Sequence, residues 1–592
     1  MKNLFLKLSV ACLFMALASC QKPGIDEGGQ STQTPGLLSQ LAFEFSFDKK
    51  TATTAQAHYS VGTDLIGDAP VEIKIKYSLA QSLSGSVQVK TLDLTESSIV
   101  LSGLAFGKTY YYEVYAELFS SKRSLAKGQF ETSAVSVDMN APQETEDGLL
   151  LSGKTVGITQ EDKQQLLVYL YLSEAGDTDE PQRFDIEVSE SNEFEVLVPG
   201  LNIASDYVYW WKIWEDEIHY LDGSQVAYTT TDPYTQSKEI SAAETDLSDL
   251  GTSNCYIVPA SGTYKFKMTK GNSSETVGTV AAVRVLWESF GTAVSPKPFE
   301  LISATGMDGD YALFEIPQDY KEGNAVIAAY DAAGTILWSW HIWLTAAEMQ
   351  EITYANDAGV MMDRNLGALS ATPNDVKALG LFYQWGRKDP FLGSSSILYA
   401  YYARSTRNLK VVTNTSETAT LAYALANPHK FILANEGGDD WLASKDNSLW
   451  GSTKTIYDPC PAGWRVPDGG YDGGHESGGL ANGIWAKAGL PDNKEVPFTE
   501  GESGKLGKIL SAPYCTPDTW YPAAGSIMYS NGMLYELGTD GVYQSVTAFG
   551  GSDTMVTGFY FNYLPNKNVH YIYCGGKKFA RAGGNSVRCC KE

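Results

Sequence analysis

Eight cysteines and six histidines are the residues of this chain with the widest chemical reach, and their spacing decides how much of it is usable. The histidines stand singly, at His58, His219, His341, His429, His475 and His570. No Cys-x-x-Cys and no His-Glu-x-x-His occurs, so the spacing predicts no metal site. A Gly-x-Ser-x-Gly elbow and a Walker-type phosphate loop are also missing, and no cofactor is expected. His341 sits in the apolar run Ile336-Leu-Trp-Ser-Trp-His-Ile-Trp343 and is read as a packing histidine. Asp439 and Asp440 are adjacent carboxylates, read as a solvated pair and not as an acid–base couple. The remaining chemistry is non-covalent. Between Ser526 and Tyr573 the chain is rich in Tyr, Asn and Ser, the composition of recognition loops, where Tyr supplies rigid amphipathic area and Asn or Ser supplies hydrogen bonds. The candidate ligand-binding residues are Tyr529, Asn531, Tyr535, Asp553, Tyr563, Asn566, Asn568, His570, Tyr571 and Tyr573.

The elements that must position these residues are mostly strands. At 592 residues the chain holds about four domains. Its 35 Tyr and 13 Trp, with many Thr and Val, favour sheets. A formal charge of −26 excludes nucleic acid as a partner, because phosphate binding needs clustered Lys and Arg. It equally excludes docking on an anionic membrane by charge. At the N-terminus, Lys2 and Lys7 accompany an apolar run from Leu4 to Ala18 that is too short to span a bilayer. Leu17-Ala18-Ser19-Cys20 resembles the lipobox of bacterial lipoproteins. That resemblance implies a signal peptide over 1–19, lipidation at Cys20 and attachment to the outer membrane at the cell surface. Residues 20–36, polar and rich in Gly and Pro, then read as a flexible tether.

Two stretches repeat each other. Leu104 precedes Tyr110 by six positions, as Leu201 precedes Tyr207, and each Tyr opens a strand with period-two alternation, such as Tyr207, Tyr209, Trp211 and Ile213. These stretches resemble fibronectin type III modules, in which that Tyr makes a corner hydrogen bond. Two such sandwiches are expected, over 37–135 and 136–232, acting as spacers. A third β-sandwich-like domain over 236–348 should pack against the last one. Its hairpin signal lies at Asp331-Ala-Ala-Gly334.

The last region, 350–592, contains Met361-Met-Asp-Arg-Asn-Leu-Gly-Ala368, Tyr383-Gln-Trp-Gly-Arg-Lys-Asp-Pro390, Asp458-Pro-Cys-Pro-Ala-Gly-Trp-Arg-Val-Pro467 and Asn585-Ser-Val-Arg-Cys589. Arg364, Arg387, Arg465 and Arg588 lie beside apolar residues, where an Arg survives by pairing with carboxylates or backbone carbonyls. The phrases resemble the FISUMP domain of bacterial surface proteins, related to the C-type lectin-like fold. The fold class is therefore multidomain and mainly β: tandem fibronectin III-like sandwiches, then an α+β C-type lectin-like domain. The resemblance implies a disulfide between Cys460 and Cys589. Short helices are expected from Thr372 and over Thr418 to Asn427. Gln544 departs from the family pattern, which has an aromatic residue there.

The same broad fold includes formylglycine-generating enzymes, which work through a cysteine pair. Cys574, near Lys577, Lys578 and Arg581, is the corresponding candidate thiol, since nearby cations lower a thiol pKa. No second cysteine matches the pair, so the protein is read as not an enzyme. True C-type lectins bind calcium through Glu-Pro-Asn or Gln-Pro-Asp and Trp-Asn-Asp motifs; only Pro491-Asp492-Asn493 comes near. The expected function is that of a surface lipoprotein adhesin whose partner is an extracellular glycan or protein. The alternative is an accessory subunit of a surface fibre or uptake complex.

Overall fold

A computed structural model describes residues 36–62, 70–145, 148–164, 166–175, 181–199, 201–214, 220–235, 237–394, 402–404, 409–469, 483–497, 507–549, 554–564 and 569–592. The lipidation candidate Cys20 and the tether up to residue 35 lie outside the described residues. The chain divides into two compact units. The first holds the chain up to Ser136 together with Thr155–Leu166; the second holds Val137–Lys154, Leu167–Trp214 and Tyr220–Glu592.

In the first unit, Phe43–Lys50, Ala55–Val61 and Ser98–Leu101 form one sheet, with the 55–61 strand in the centre. Gln88–Thr91, Glu72–Ser78, Thr109–Leu118 and Ser121–Glu131 form the other, in that order. Alternate residues Ile73, Ile75, Val114 and Ala116 are fully buried between them, as period-two strands with one wet face require. The Tyr110 hydroxyl accepts the Ala105 N–H at 2.8 Å, which is the expected corner bond. Asp162, on the Thr155–Leu166 segment, is buried and accepts hydrogen bonds from Thr51, Thr53 and Thr159. Burial pushes its carboxyl upward, yet those bonds outweigh it and hold the pKa below the ordinary value.

The second sandwich repeats this plan. Glu193–Val198, Gly148–Val156 and Ser136–Met139 make one sheet, with Gln143–Thr145 also on Gly148–Val156; Gln182–Asp185, Leu167–Glu174, Asp206–Trp214 and Tyr220–Asp222 make the other, with Val226–Thr229 also on Asp206–Trp214. The Tyr207 hydroxyl accepts the Asn202 N–H at 2.8 Å. Tyr207, Tyr209 and Ile213 are buried as the alternation predicts, whereas Trp211 keeps partial exposure.

Between Lys238 and Leu344 a five-stranded and a four-stranded sheet enclose a cluster that includes Phe266, Phe314, Trp338 and Trp340. Ile336–Leu344 is buried on both faces, because its second face meets the last region: Cys255, Trp287, Val326 and Trp343 share one core with Met362, Trp385, Trp441 and Val587. Buried polar ties cross the same boundary. Asn254 Nδ2 donates to the Ile456 and Asp458 carbonyls at 2.7 and 2.8 Å, and Asn324 Nδ2 donates to Gly367 O at 2.9 Å.

The last region is built on a five-stranded and a ten-stranded sheet joined by long loops. The expected helix over 418–427 is present as Leu421–Ala426, with the Thr420 hydroxyl accepting the Tyr423 N–H at 3.1 Å. The helix expected from Thr372 shrinks to one 3-10 turn, Val376–Ala378. Asp375 caps it, but Gly380 then takes φ +75°, where a Cβ would lie 2.9 Å from the Leu366 carbonyl oxygen. Chain reversal against Leu366 ends the turn before a helix can propagate.

Candidate functional site

The four C-terminal phrases are scaffold, and each Arg shows how. Arg364 forms a two-pronged pair with Asp363, both bonds 2.8 Å. Arg387 reaches Gln384 Oε1 at 2.9 Å and the Lys430 carbonyl at 2.8 Å. Arg465 pairs with Asp468 at 2.7 Å. Arg588 donates to Asn365 Oδ1, Thr519 Oγ1 and the Trp520 carbonyl, and its guanidinium lies 3.8 Å from the Tyr521 ring centroid. Cys460 and Cys589 are disulfide-bonded across 129 positions. Asp458 accepts the Cys460 and Val466 N–H groups at 2.9 Å, shaping the loop on one side of that bridge. Gln544 is wholly buried, and its Nε2 donates to the Tyr383 carbonyl at 3.1 Å.

Three sets of reactive-looking residues are also internal. Cys255 Sγ lies 3.3 Å from His341 Nδ1, and His341 Nε2 lies 2.9 Å from Asn324 Oδ1. The order thiol–imidazole–amide is that of a nucleophilic triad, but all three residues are at most 1% exposed. Burial raises the thiol pKa and lowers that of His341 to about 3, so the thiol stays protonated and the ring neutral. Cys574 corrects the expectation of a cation-activated thiol. It is buried, bonds the Leu490 carbonyl through Sγ at 3.3 Å, and is pushed up to about 12 by burial and by Asp492. Lys577 and Lys578 are exposed, while Arg581 is turned over the Trp385 ring at 4.0 Å. Asp439 and Asp440 are likewise not a solvated pair. Asp440 is buried 3.6 Å from Arg581, and burial carries its carboxyl up to about 6.

The recognition residues separate into groups. Asp553, Asn566 and Asn568 lie outside the described residues, as does the side chain of His570. Tyr563 is 8% exposed, which leaves little of its ring for a ligand. Tyr529 packs partly against the main core; Asn531 Nδ2 donates to the Tyr535 hydroxyl at 3.1 Å, closing a turn. Tyr571 and Tyr573 come together, ring centroids 5.2 Å apart.

Antiparallel pairing builds the face around them. Val569–Tyr573 runs between Met555–Leu564 and Lys494–Pro497, so Tyr573 stands opposite Tyr560, and Tyr571 between Asn562 and Glu495. Tyr560 lies 5.7 Å from Tyr573, and the Lys577 ammonium sits 4.8 and 5.8 Å from those two rings. The Tyr560 hydroxyl donates to Asp540, and Tyr571 donates to Asn493 Oδ1 at 2.9 Å. Asp492 Oδ1 accepts the Cys574 and Gly576 N–H groups at 2.8 and 3.0 Å, fixing the turn that carries Lys577. Asp492 and Asn493 thus orient the tyrosine face itself. Partial burial, then Asp540 close by, raise the Glu536 carboxyl above its ordinary value. Tyr560, Asn562 and Lys577 were missed from sequence. The alternation of Asn562 and Tyr560 against Phe561 and Phe559 could have marked them, had the pairing partner been known.

Such a face can stack flat or apolar groups on Tyr rings and bond hydroxyls through Asn, Lys and carboxylate groups. Among the described residues no group of three or more His, Cys, Asp or Glu could hold a metal ion.

No family model and no curated protein matches the chain. Among solved structures, a two-domain fibronectin type III segment of chicken tenascin is similar over 32% of this chain and 98% of its own, with 13% identity and a TM-score of 0.16. The chicken interferon gamma receptor alpha chain is similar over 32% of this chain and 97% of its own, with 10% identity and a TM-score of 0.17. Scores of this size carry no argument. The fibronectin type III-like character of the two sandwiches rests on their strand order and their tyrosine corners.

Proposed function

We propose that this protein is a lipid-anchored surface adhesin that binds an extracellular glycan or protein through the last region. In this reading Cys20 carries the lipid at the outer membrane, the two fibronectin-like sandwiches hold the binding region away from it, and the last region is a lectin-like head of the FISUMP type. The observation that supports it is the tyrosine face: Tyr571 and Tyr573 packed ring to ring with Asn562 beside them, backed by the buried Tyr560 ring and by Lys577. The rings are held by the sheet and by one another, so little side-chain entropy is lost when a ligand stacks on them.

The test is a screen of the full chain against a printed glycan array and immobilised matrix proteins, beside a Tyr571→Ala/Tyr573→Ala double variant. A ligand captured by the wild type and lost by the variant supports the assignment. Retention of every captured ligand by the variant contradicts it. Capture of no ligand, with co-purification of the chain in a cell-envelope complex, would favour the accessory-subunit role.

A further inference from the structure

The second sandwich presents a face that the proposed function does not use. On the sheet that includes Gln182–Asp185, Leu167–Glu174, Asp206–Trp214 and Tyr220–Asp222, most residues turned away from the core are aromatic or charged. Tyr169 and Tyr171 stand on one strand, Trp210, Lys212 and Trp214 on the next, and Tyr220 and Asp222 on the third, paired in register. A solvated sheet face ordinarily carries polar side chains, so aromatic rings on adjacent strands there need an explanation.

The rings are ordered. Tyr171 and Trp210 stack with centroids 5.4 Å apart and planes at 12°. Trp214 and Tyr220 stack at 6.0 Å and 23°. Lys212 lies between these pairs, 4.9 Å from the Trp214 ring, 4.3 Å from the Tyr220 ring and 3.6 Å from Asp222. The register puts Tyr171 opposite Trp210 on one side of their strand, and Asp222 opposite Lys212, two residues along, on the other. A depression of about 400 Å³ opens there, lined by Tyr171, Trp210, Lys212, Asp222, Gly223 and Gln225.

We propose that this depression is a second binding site, for an uncharged saccharide. Its volume falls within the range of small-molecule sites, about 300–1,000 Å³. An aromatic face carries negative charge density, and the C–H face of a pyranose ring is its positive, flat counterpart. Both basic groups on these strands are paired within the sheet: Lys212 with Asp222, and Arg183 with Asp185 at 3.5 Å while covering the Tyr169 ring at 4.8 Å. Among the described residues of this sheet no unpaired cation stands beside Asp222 to offset a phosphate, sulfate or uronate. Sugar hydroxyls need no such cation. They accept from the Lys212 ammonium, donate to the Asp222 carboxylate, and do either with the Gln225 amide. Stacking and ion pairing hold these side chains before any ligand arrives, which keeps the ordering cost of binding low. The sandwich that the sequence presents as a spacer is by this reading a sugar-binding module, independent of the tyrosine face of the last region.

The test is calorimetric titration of the full chain with soluble hexasaccharides of β-1,4-glucose, β-1,4-xylose, β-1,4-mannose and β-1,4-N-acetylglucosamine. The expected result is binding of at least one of them, weakened at least about ten-fold by Trp210→Ala. Should Trp210→Ala lower the melting temperature, Asp222→Asn and Gln225→Ala read the same site without removing a ring, and each should weaken the same saccharide. Three outcomes would overturn the proposal: no hexasaccharide binds the wild type, binding survives Trp210→Ala and both polar variants, or Trp210→Ala abolishes only a self-association seen by sedimentation. The last would make this face a protein interface.

Discussion

At the scale of residues, burial decides what the chemically suggestive groups do. Cys255, His341 and Asn324 touch in the order of a nucleophilic triad, yet desolvation leaves the ring neutral and the thiol protonated. This has a measurable consequence. The folded-state pKa of His341, about 3, lies below the ordinary value near 6.5. The unfolded chain therefore takes up a proton at acid pH that the folded chain refuses. The stability tied to His341 is fully present above pH 6.5 and is lost as pH falls from there toward 3. Between pH 7 and pH 5 the loss from this residue is about 2 kcal/mol. Urea unfolding at the two pH values should show that drop in the wild type and a drop smaller by that amount in His341→Gln. Equal slopes in the two proteins would remove His341 as the cause. Arg588 shows the opposite case, a buried charge kept for its bonds. Arg588→Leu strands Asn365 Oδ1, Thr519 and the Trp520 carbonyl, and should cost at least about 3 kcal/mol by denaturant titration.

At the scale of elements, the corner tyrosines and the disulfide are where sequence and structure meet most directly. Tyr110 and Tyr207 each hold a backbone N–H five positions upstream. Tyr207→Phe keeps the ring and loses the bond, so it should lower stability by about 1 kcal/mol. The Cys460–Cys589 bridge spans 129 positions, and Cys460→Ser with Cys589→Ser should cost up to about 4–5 kcal/mol in the chain-entropy picture. Calorimetric melting of each variant checks both. These features were legible because each is local or carried by a short phrase: a Leu–Tyr spacing, a hairpin at Asp331–Gly334, a cysteine in each of two phrases. The aborted helix after Thr372 was not legible. Its end is set by the close approach of Gly380 to Leu366, a contact made by folding. Asp440 and Cys574 were misread for the same reason: their neighbours in space are Arg581 and Leu490, not the residues beside them in the chain. The tyrosine face was half legible. Tyr571 and Tyr573 announced themselves by composition, whereas Tyr560 and Lys577 joined them only through strand register.

At the scale of the whole molecule, the region over Lys238–Leu344 and the last region behave as one folded body. Cys255, Trp287, Val326 and Trp343 belong to the same core as Met362, Trp385 and Val587, and Asn254 and Asn324 supply buried bonds across the boundary. A fragment 350–592 should therefore expose apolar surface and melt broadly or aggregate, while 237–592 should unfold cooperatively in calorimetry. Equal stability of the two fragments would refute the shared core. In cells, Cys20→Ala should move the protein from the membrane fraction into the soluble exported fraction, if the lipid is its anchor.

Hydrogen–deuterium exchange on the full chain with its captured ligand shows whether the ligand sits on the tyrosine face of the last region. Exchange should slow in Met555–Leu564 and Val569–Tyr573 on saturation, and the slowing should be lost together with binding in Tyr571→Ala/Tyr573→Ala. Saturated ligand that leaves both strands unchanged while protecting residues elsewhere would contradict it.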